Sequence, residues 1–253
     1  MGVTTHPNLI MKINPNHRLV LRDVYLYDIE SCHYSIMEKL DLDLTGINKD
    51  NKLERNIQIG KMMRKNPKLT SILRNTTRSL IDEYLRANGL TDGDLLLRQY
   101  DGIILTRTLR VTDLRGIPLN IQKHFQIFIS SFDRRKYIAL DSQMQTTIKG
   151  VEHRYDEMDK VYMSICKINY ANKDSIFRNL QLIKDKLMTT EDINIFAIPA
   201  GKNKYNIFLK NYGQIEISKT TLKIMDPLDI DRNKYFNFYI RPFTKSIVAE
   251  FVR

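Results

Sequence analysis

The stretch LLLRQYDGIILT, from Leu95 to Thr106, places one carboxylate, Asp101, between two apolar runs. The pattern predicts two antiparallel strands joined by a short turn, and it leaves two interpretations of the acid open. Asp-Gly between hydrophobic strands is typical of a two-residue hairpin turn, because both residue types tolerate positive φ. Alternatively, the hairpin tip is a rigid position that holds a metal-binding carboxylate.

A second carboxylate closes an earlier strand. Residues 23–32, DVYLYDIESC, are rich in strand-favouring types and predict a buried strand with Asp28 at its end. Two-metal phosphoryl transfer needs acids from separate segments that converge on one point. Mg²⁺ completes its coordination with water and substrate phosphates. Asp28 and Asp101 are therefore candidate ligands of a shared metal site.

Composition narrows the class of partner. The chain has 253 residues, with 40 Lys and Arg against 29 Asp and Glu, which gives a formal net charge of +11. This balance favours a polyanionic partner, and nucleic acid is the leading candidate. Cys32 and Cys166 form no C-x-x-C pair and are expected to be reduced thiols in an intracellular, cytoplasmic protein. The sequence shows no apolar run of membrane-spanning length and no signal-peptide pattern, so no membrane partner is expected.

Periodicity along the chain predicts an α+β fold. A helix is predicted after Asp50 as its cap and before Pro67, and a second helix is predicted to stop at Gly89. A further amphipathic helix begins near Asp174. Strands are predicted in FQIFISSF and RRKYIAL, and in four short segments of the last 60 residues, INIFAIP, KYNIFLK, IEISKTTLKIM and YFNFYIRPF.

The order of these signals resembles the palm region of family B DNA polymerases over residues 22–160. DIESCHYSI is similar to that family's first palm motif, an Asp followed by Ser-Leu-Tyr-Pro-Ser, with Asp28, Ser31 and Ser35 on matching positions. LRQYDGII resembles the third motif, Tyr-Gly-Asp-Thr-Asp-Ser, with Asp101 on the second aspartate. FDRRKYIAL resembles the Lys-Lys-x-Tyr strand, and KGVEHRYD resembles the Lys-Gly-x-Glu-x-x-Arg segment that leads into the thumb.

The resemblance implies both an architecture and an activity. The implied fold is a palm-like antiparallel sheet with helices on one face, followed by a thumb-like helical segment and a small C-terminal β-rich unit. Residues 1–155 are expected to form the catalytic palm, with very short fingers at about 45–68, and residues 156–253 the remainder. The implied activity is that of a minimal phage or mobile-element DNA polymerase, or the palm subunit of a split one. Mg²⁺ or Mn²⁺ would be held by Asp28, Asp101 and the Ile29 carbonyl, and the partners would be primer-template DNA, a deoxynucleoside triphosphate and a second subunit.

Four positions depart from the family pattern, and one of them is Tyr34, which replaces the proline of the first motif. His33 stands where the sugar-discriminating tyrosine is usual, Gln99 replaces the first aspartate of the third motif, and Gly102 replaces its serine. An imidazole can still stack beneath a sugar and exclude a 2′-hydroxyl. The resemblance assigns metal binding mainly to the second aspartate, which is retained.

Cations near the motifs are candidates for nucleotide binding. Ser31 and His33 belong to the first motif, while Arg55, Lys61 and Arg64 lie on the helix predicted between the two aspartates. Cations repeated on one helical face can clamp a triphosphate, with Lys61 as the leading candidate. The alternative is a solvated basic face.

A second basic cluster predicts contacts with the nucleic-acid backbone. Cations on a strand can follow a phosphate backbone, although a charged edge strand that resists aggregation has the same pattern. The candidate DNA-binding residues are Arg134, Arg135, Lys136, Tyr137, Lys149 and Arg154.

Two other functions compete with the polymerase. Gln99 and the missing fingers motif favour a non-catalytic nucleic-acid-binding protein built on a degenerate palm, whereas retention of Asp28 and Asp101 counts against it. A nuclease would need a third clustered carboxylate or a general-base histidine, and the sequence suggests neither.

Overall fold

The computed structural model describes residues 19–91, 93–131, 136–150 and 156–251. The strands are β1 Val20–Leu21, β2 Val24–Ile29, β3 Leu95–Arg98, β4 Gly102–Leu105, β5 Asp113–Leu114, β6 Ile117–Ser130, β7 Tyr137–Asp141, β8 Thr146–Lys149, β9 Ile198–Gly201, β10 Lys204–Leu209 and β11 Gly213–Ser218. The helices are α1 Cys32–Lys39, α2 Lys52–Lys65, α3 Pro67–Ala87, α4 Asp156–Cys166, α5 Lys173–Thr189, α6 Lys219–Lys223, α7 Arg232–Tyr239 and α8 Arg241–Phe251. Two 3₁₀ turns, Ile193–Phe196 and Pro227–Asp229, complete the set.

The first compact unit contains residues 23–124 of the described chain. Its strands follow the order β3–β4–β2–β6. Alternate residues of β2 and β4 point to the side covered by the helices, where they join residues of α1, α2 and α3 in one hydrophobic core. The core contains Tyr27, Ile29, Ile36, Met37, Ile59, Leu73, Ile81, Tyr84, Ile103 and Leu105. This unit carries every candidate metal ligand and nucleotide-binding residue.

Local sequence explains where the helices of this unit begin and end. The Asn51 side chain accepts a hydrogen bond from the Glu54 amide at 3.1 Å, so Asn51, and not the predicted Asp50, caps α2. Asn66 caps α3 in the same way, and Pro67 fills the first helical position, which ends α2 as predicted. Gly89 follows α3 with a φ of 57°, the left-handed conformation expected at a helix stop.

The second unit contains residues 19–22 and 125–251 of the described chain. Here β1 and β7 pair with β6, and β8 pairs with β7, all antiparallel. A separate three-stranded antiparallel sheet has the order β11–β10–β9. Residues from strands and helices share one core, which includes Ile129, Ile138, Tyr162, Ile207, Tyr235 and Phe243.

The predicted fold class is confirmed: the chain is α+β, with antiparallel sheets and helices on one face of the first unit's strands. Three of the four short strand predictions near the C-terminus are wrong in part or in whole. INIFAIP begins as the 3₁₀ turn Ile193–Phe196 and enters β9 only at Ile198. IEISKTTLKIM leaves β11 after Ser218 and continues as α6, where the Ser218 side chain caps the helix. The segment YFNFYIRPF forms α7 and the start of α8, because Tyr235 and Tyr239 lie one turn apart on a buried helical face while Phe238 is 52% exposed. Asp231 caps α7 by accepting from the Lys234 amide.

The division between the two units falls within β6, between residues 124 and 125. The predicted functional boundary near residue 155 lies inside the second unit and stays a prediction. Within the described ranges, no helix combines the length and the apolar character that crossing a bilayer requires.

Candidate active site

The pairing of β2 with β4 brings the two candidate carboxylates together. In this antiparallel pair Asp28 lies opposite Gly102, and the Ile29 amide donates to the Asp101 carbonyl at 2.8 Å. Asp28 and Asp101 therefore occupy neighbouring positions on two adjacent chain segments, 73 residues apart in sequence. The strand register, set by alternating buried residues, fixes this arrangement.

The β3–β4 turn differs from the predicted two-residue Asp-Gly turn. The Gln99 amide donates to the Gly102 carbonyl at 2.8 Å, so Tyr100 and Asp101 lie at the tip of the turn and Gly102 begins β4. Neither Asp101 nor Gly102 has a positive φ. The interpretation that Asp101 and Gly102 form the turn is therefore wrong, and Asp101 is the second of the two residues between the bonded pair.

Gly102 is required by close approach to β2. A Cβ atom at this position would lie 2.4 Å from the Tyr27 carbonyl oxygen and 3.3 Å from Oδ1 of Asp28. Both contacts are shorter than ordinary van der Waals distance, and the first involves a backbone atom that cannot turn aside. The missing side chain thus lets the Asp101 turn lie against the end of β2.

The electrostatics of the pair fit a site for a cation. Burial and the charge of Asp101 raise the pKa of Asp28 to about 6, against the opposing effects of Lys52 and the Ile29 amide. Two carboxylates placed close together repel each other when both are ionised, and a bound divalent cation neutralises this repulsion. No group of three or more His, Cys, Asp or Glu side chains suited to a metal occurs in the described ranges. A metal held here would take carbonyl, water and phosphate oxygens as its other ligands, which is the set that Mg²⁺ prefers.

The raised pKa of Asp28 gives a test of this environment. Because the folded value of about 6 exceeds the ordinary 3.8, its contribution to stability is fully present below about pH 4 and lost as the pH rises through about 6. We expect Asp28→Asn to raise the Tm of the metal-free protein at about pH 8 and to change it little at about pH 4. Thermal unfolding in a chelator measures both. A change of equal size at the two pH values would contradict the raised pKa.

The turn from β2 into α1 is tight and is held by an arginine. Ser31 has a φ of 49°, a left-handed backbone conformation that is strained for a residue other than glycine. Its side chain makes no capping hydrogen bond to α1. The Arg55 guanidinium donates to the Ser31 hydroxyl at 2.8 Å and also to the Lys49 carbonyl. Arg55 is 7% exposed and lies 5.7 Å from the centre of the Tyr34 ring.

Arg55 carries a buried positive charge that the described part of the chain does not neutralise. No ion pair to it occurs among the described residues, and its Nε atom is buried without a hydrogen-bond partner there. Buried charges are costly unless they are paired. The position is therefore suited to an anion.

The cations of helix α2 lie on two opposite sides of the helix. Lys52 acts on Asp28, and Arg55 lies buried one turn later. Lys61 follows Lys52 by nine residues, and Arg64 follows Arg55 by nine residues. Nine residues are about two and a half helical turns, so the two members of each pair point in opposite directions. Lys61 and Arg64 are exposed, on the side of α2 opposite to Lys52 and Arg55. The structure does not bring them together with the carboxylates.

His33 and Tyr100 form a second polar group beside the carboxylates. His33 Nε2 lies 3.1 Å from the Tyr100 hydroxyl, and both side chains are half-buried. Burial lowers the pKa of His33; the charge of Asp101 opposes this effect, and Arg74 adds to it. Burial raises the pKa of Tyr100, and a hydrogen bond with Thr77 offsets part of that rise.

Sequence reasoning missed Tyr100, Lys52 and Arg74. Tyr100 immediately precedes Asp101, which was a usable signal. Lys52 lies in the first turn of the helix that was predicted to be basic, but its direction depends on how α2 packs. Arg74 is one of several exposed arginines of α3, and no pattern in the sequence distinguishes it.

The predicted DNA-binding residues have different placements. Tyr137 is 2% exposed, with its ring 4.8 Å from that of Phe128, so it is not available for a contact with nucleic acid. Lys136 places its ammonium group 4.7 Å from the centre of the Phe238 ring, and Lys149 is exposed. The remaining candidates, Arg134, Arg135 and Arg154, lie outside the described residues.

A solved structure has a similar fold. The family B DNA polymerase from the hyperthermophilic archaeon Pyrobaculum calidifontis matches with a TM-score of 0.51 over 98% of this chain and 47% of that polymerase. The two sequences are 10% identical, so the likeness shows the fold alone. The chain spans about half the length of that polymerase. No curated protein matches the sequence.

A phage family covers most of the chain. The family described as bacteriophage PBS1 gene 130 protein matches residues 17–242, which include both candidate carboxylates and most of the second unit. The phage connection predicted from the sequence fits this match. Since the match extends over far more than half of the chain, the protein belongs to the bacteriophage PBS1 gene 130 protein family.

Proposed function

We propose that this protein is a metal-dependent nucleotidyltransferase that extends a primer on a DNA template, as a minimal polymerase or as the palm subunit of a split one. The observation that carries the proposal is the β2–β4 register, which places Asp28 beside the Asp101 turn. Similarity to the fold of a family B DNA polymerase supports it. A function in nucleic-acid metabolism also agrees with the net charge of +11.

The carboxylates would hold the metal ions of the reaction. Asp28 and Asp101 provide side-chain oxygens, and the Ile29 carbonyl provides a backbone oxygen from the end of the same strand. Two Mg²⁺ ions, when bound, stabilise the attacking and leaving oxygens of an in-line displacement at phosphorus. The protein's own contribution is to fix the two acids through the strand register and through the close approach that Gly102 permits.

The incoming triphosphate would lie against the start of α1 and the inner side of α2. Arg55 offers a buried positive charge there, and Lys52 adds a flexible one close to Asp28. Preorganised cations neutralise the charge that develops on a transferred phosphoryl group. Lys52 and Arg55 therefore replace Lys61 in the proposed triphosphate site, because Lys61 lies on the opposite side of α2.

A second polypeptide is part of the proposal. The chain covers 47% of the similar polymerase, and in a split enzyme a second subunit would supply further parts. The exposed cations Lys61 and Arg64 on the outer side of α2 are suited to a nucleic-acid strand or an acidic partner surface. Lys149 stays a candidate for contact with the DNA backbone.

The direct test is primer extension. Purified protein is incubated with a primed DNA template, the four deoxynucleoside triphosphates and Mg²⁺. We expect extension that stops when a chelator is added. A second assay uses an extract of phage-infected cells from which the protein is removed and to which it is then added back. The proposal is contradicted if neither the purified chain nor the resupplied extract extends the primer.

His33 gives a prediction about substrate choice. If its ring lies beneath the sugar of the incoming nucleotide, His33→Ala opens space for a 2′-hydroxyl and raises ribonucleotide incorporation relative to deoxyribonucleotide. Differences of this steric kind are worth about 10- to 200-fold. Single-turnover insertion on one primer-template measures the ratio. An unchanged ratio would mean that His33 does not face the sugar.

A non-catalytic nucleic-acid-binding protein is the second candidate. Gln99 stands where the family resemblance places another aspartate, and the described residues contain no cluster of three acidic ligands. This candidate predicts DNA binding that is unchanged when Asp28 and Asp101 are replaced together by Asn. It also predicts no Mg²⁺-dependent incorporation under any of the conditions above.

A further inference from the structure

The His33–Tyr100 pair forms a wall beside the candidate carboxylates. The two ring centres are 5.4 Å apart with planes tilted by 55°, and one hydrogen bond of 3.1 Å joins them. The charge of Asp101 acts on both side chains. The contact links the first turn of α1 to the β3–β4 turn, which are the segments that follow Asp28 and carry Asp101.

Tyr100 is itself anchored. It is one of the two residues in the turn closed by the hydrogen bond from the Gln99 amide to the Gly102 carbonyl. Thr77, a buried residue of α3, offsets part of the rise in the pKa of Tyr100, and its hydroxyl lies 3.4 Å from Cys32 Sγ of α1. The turn therefore fixes the backbone position of Tyr100, and its side chain lies near the buried Thr77 of α3.

His33 has less support of its own. It lies in the first turn of α1, where a half-buried imidazole without a bonded partner can change its side-chain rotamer and its tautomer. Its bond to the Tyr100 hydroxyl restricts both, because an aligned hydrogen bond selects one ring nitrogen and one ring orientation.

We propose that Tyr100 is the positioning residue for His33, and that the two side chains together determine which sugar the nucleotide site accepts. This inference rests on the proposed function. A histidine ring is smaller than the tyrosine that the family resemblance places at this position, so a mobile His33 would leave room for a 2′-hydroxyl. Held by Tyr100, the two rings form one barrier of fixed shape next to Asp101.

The test is Tyr100→Phe, which removes one hydroxyl and keeps the ring. We expect discrimination between dATP and ATP in single-turnover insertion to fall by about three- to tenfold, the size of one lost hydrogen bond. Nitrogen-15 NMR of histidine-labelled protein should show one dominant His33 tautomer in the wild type and a mixture in the variant. The matched control is Tyr25→Phe, since Tyr25 stacks on another histidine, His124, with ring centres 4.7 Å apart at the start of β2.

Two readouts separate this inference from the proposed function. If wild-type protein extends no primer, the polymerase proposal fails, and discrimination is then measured as the affinity ratio for dATP and ATP in the presence of Ca²⁺. Tyr100→Phe must still lower that ratio and alter the His33 signals. If Tyr100→Phe leaves the dATP-to-ATP ratio unchanged in either assay, the inference is overturned, even when the NMR signals change. If the variant leaves the His33 NMR signals unchanged, the positioning role of Tyr100 is overturned. Tyr25→Phe should change neither readout.

Discussion

Asp101→Asn should fold normally, bind DNA as the wild type does, and lose Mg²⁺-dependent primer extension by at least about a hundredfold. Asparagine matches the size of aspartate and keeps the same turn geometry. It removes a negative charge beside Asp28, where the end of β2 lies next to the turn that carries Asp101. Metal affinity and the in-line arrangement of the reacting groups would be lost together. Asp28→Asn should have an effect of the same order.

The control for this experiment is Asp23→Asn. Asp23 lies just before β2, pairs with His124 at 3.2 Å, and has a φ of 54° that asparagine tolerates. The variant removes the same charge from the opposite end of the strand and should extend primers like the wild type. If Asp101→Asn also extends like the wild type, Asp101 is a turn residue and has no role in metal binding.

Gly102→Ala should have the largest effect on stability among the glycine substitutions. The added methyl group would meet the Tyr27 carbonyl oxygen at 2.4 Å, so β2 and β4 must separate at the point where Asp28 and Asp101 lie. Overpacking of this kind costs about 1–3 kcal/mol. We expect a lower urea midpoint and, in the fraction that folds, loss of primer extension comparable to that of Asp101→Asn.

Gly60→Ala is the matched control. Gly60 lies within α2, and a Cβ there meets no atom within 4 Å. Alanine in a helix interior is about 0.5–1 kcal/mol more stable than glycine, so this variant should raise the urea midpoint. Equal midpoints for Gly102→Ala and Gly60→Ala would show that β2 and β4 do not approach each other as closely as described.

The features of the fold that depend on local sequence could be predicted. Pro67 ends one helix and starts the next, and Gly89 stops α3, because these residues act through their own backbone geometry. The strand that carries Asp28 and the two strands that flank the Asp101 turn follow from apolar runs bounded by polar residues. The pairing of these strands was implied by the family resemblance and by no pattern within either strand.

The features that depend on packing could not be predicted. Alternating aromatics in residues 235–243 match the period of a strand, yet the buried pair Tyr235 and Tyr239 also matches one helical turn, and the core selects the helix. The same limit applies to α2, whose basic residues were predicted as one clamp. Burial of Arg55 decides which side faces inward, and Lys61 consequently lies on the other.

The central claim is that Asp28 and Asp101 bind the same divalent metal ions. Anomalous diffraction from crystals grown with Mn²⁺ and a non-hydrolysable deoxynucleoside triphosphate tests it most directly, since Mn²⁺ accepts the same oxygen ligands as Mg²⁺. We predict an anomalous peak about 2.1 Å from carboxylate oxygens of both residues, the distance usual for Mg²⁺ and oxygen. Carboxylates that point apart, with no peak or with metal bound elsewhere, would contradict the account.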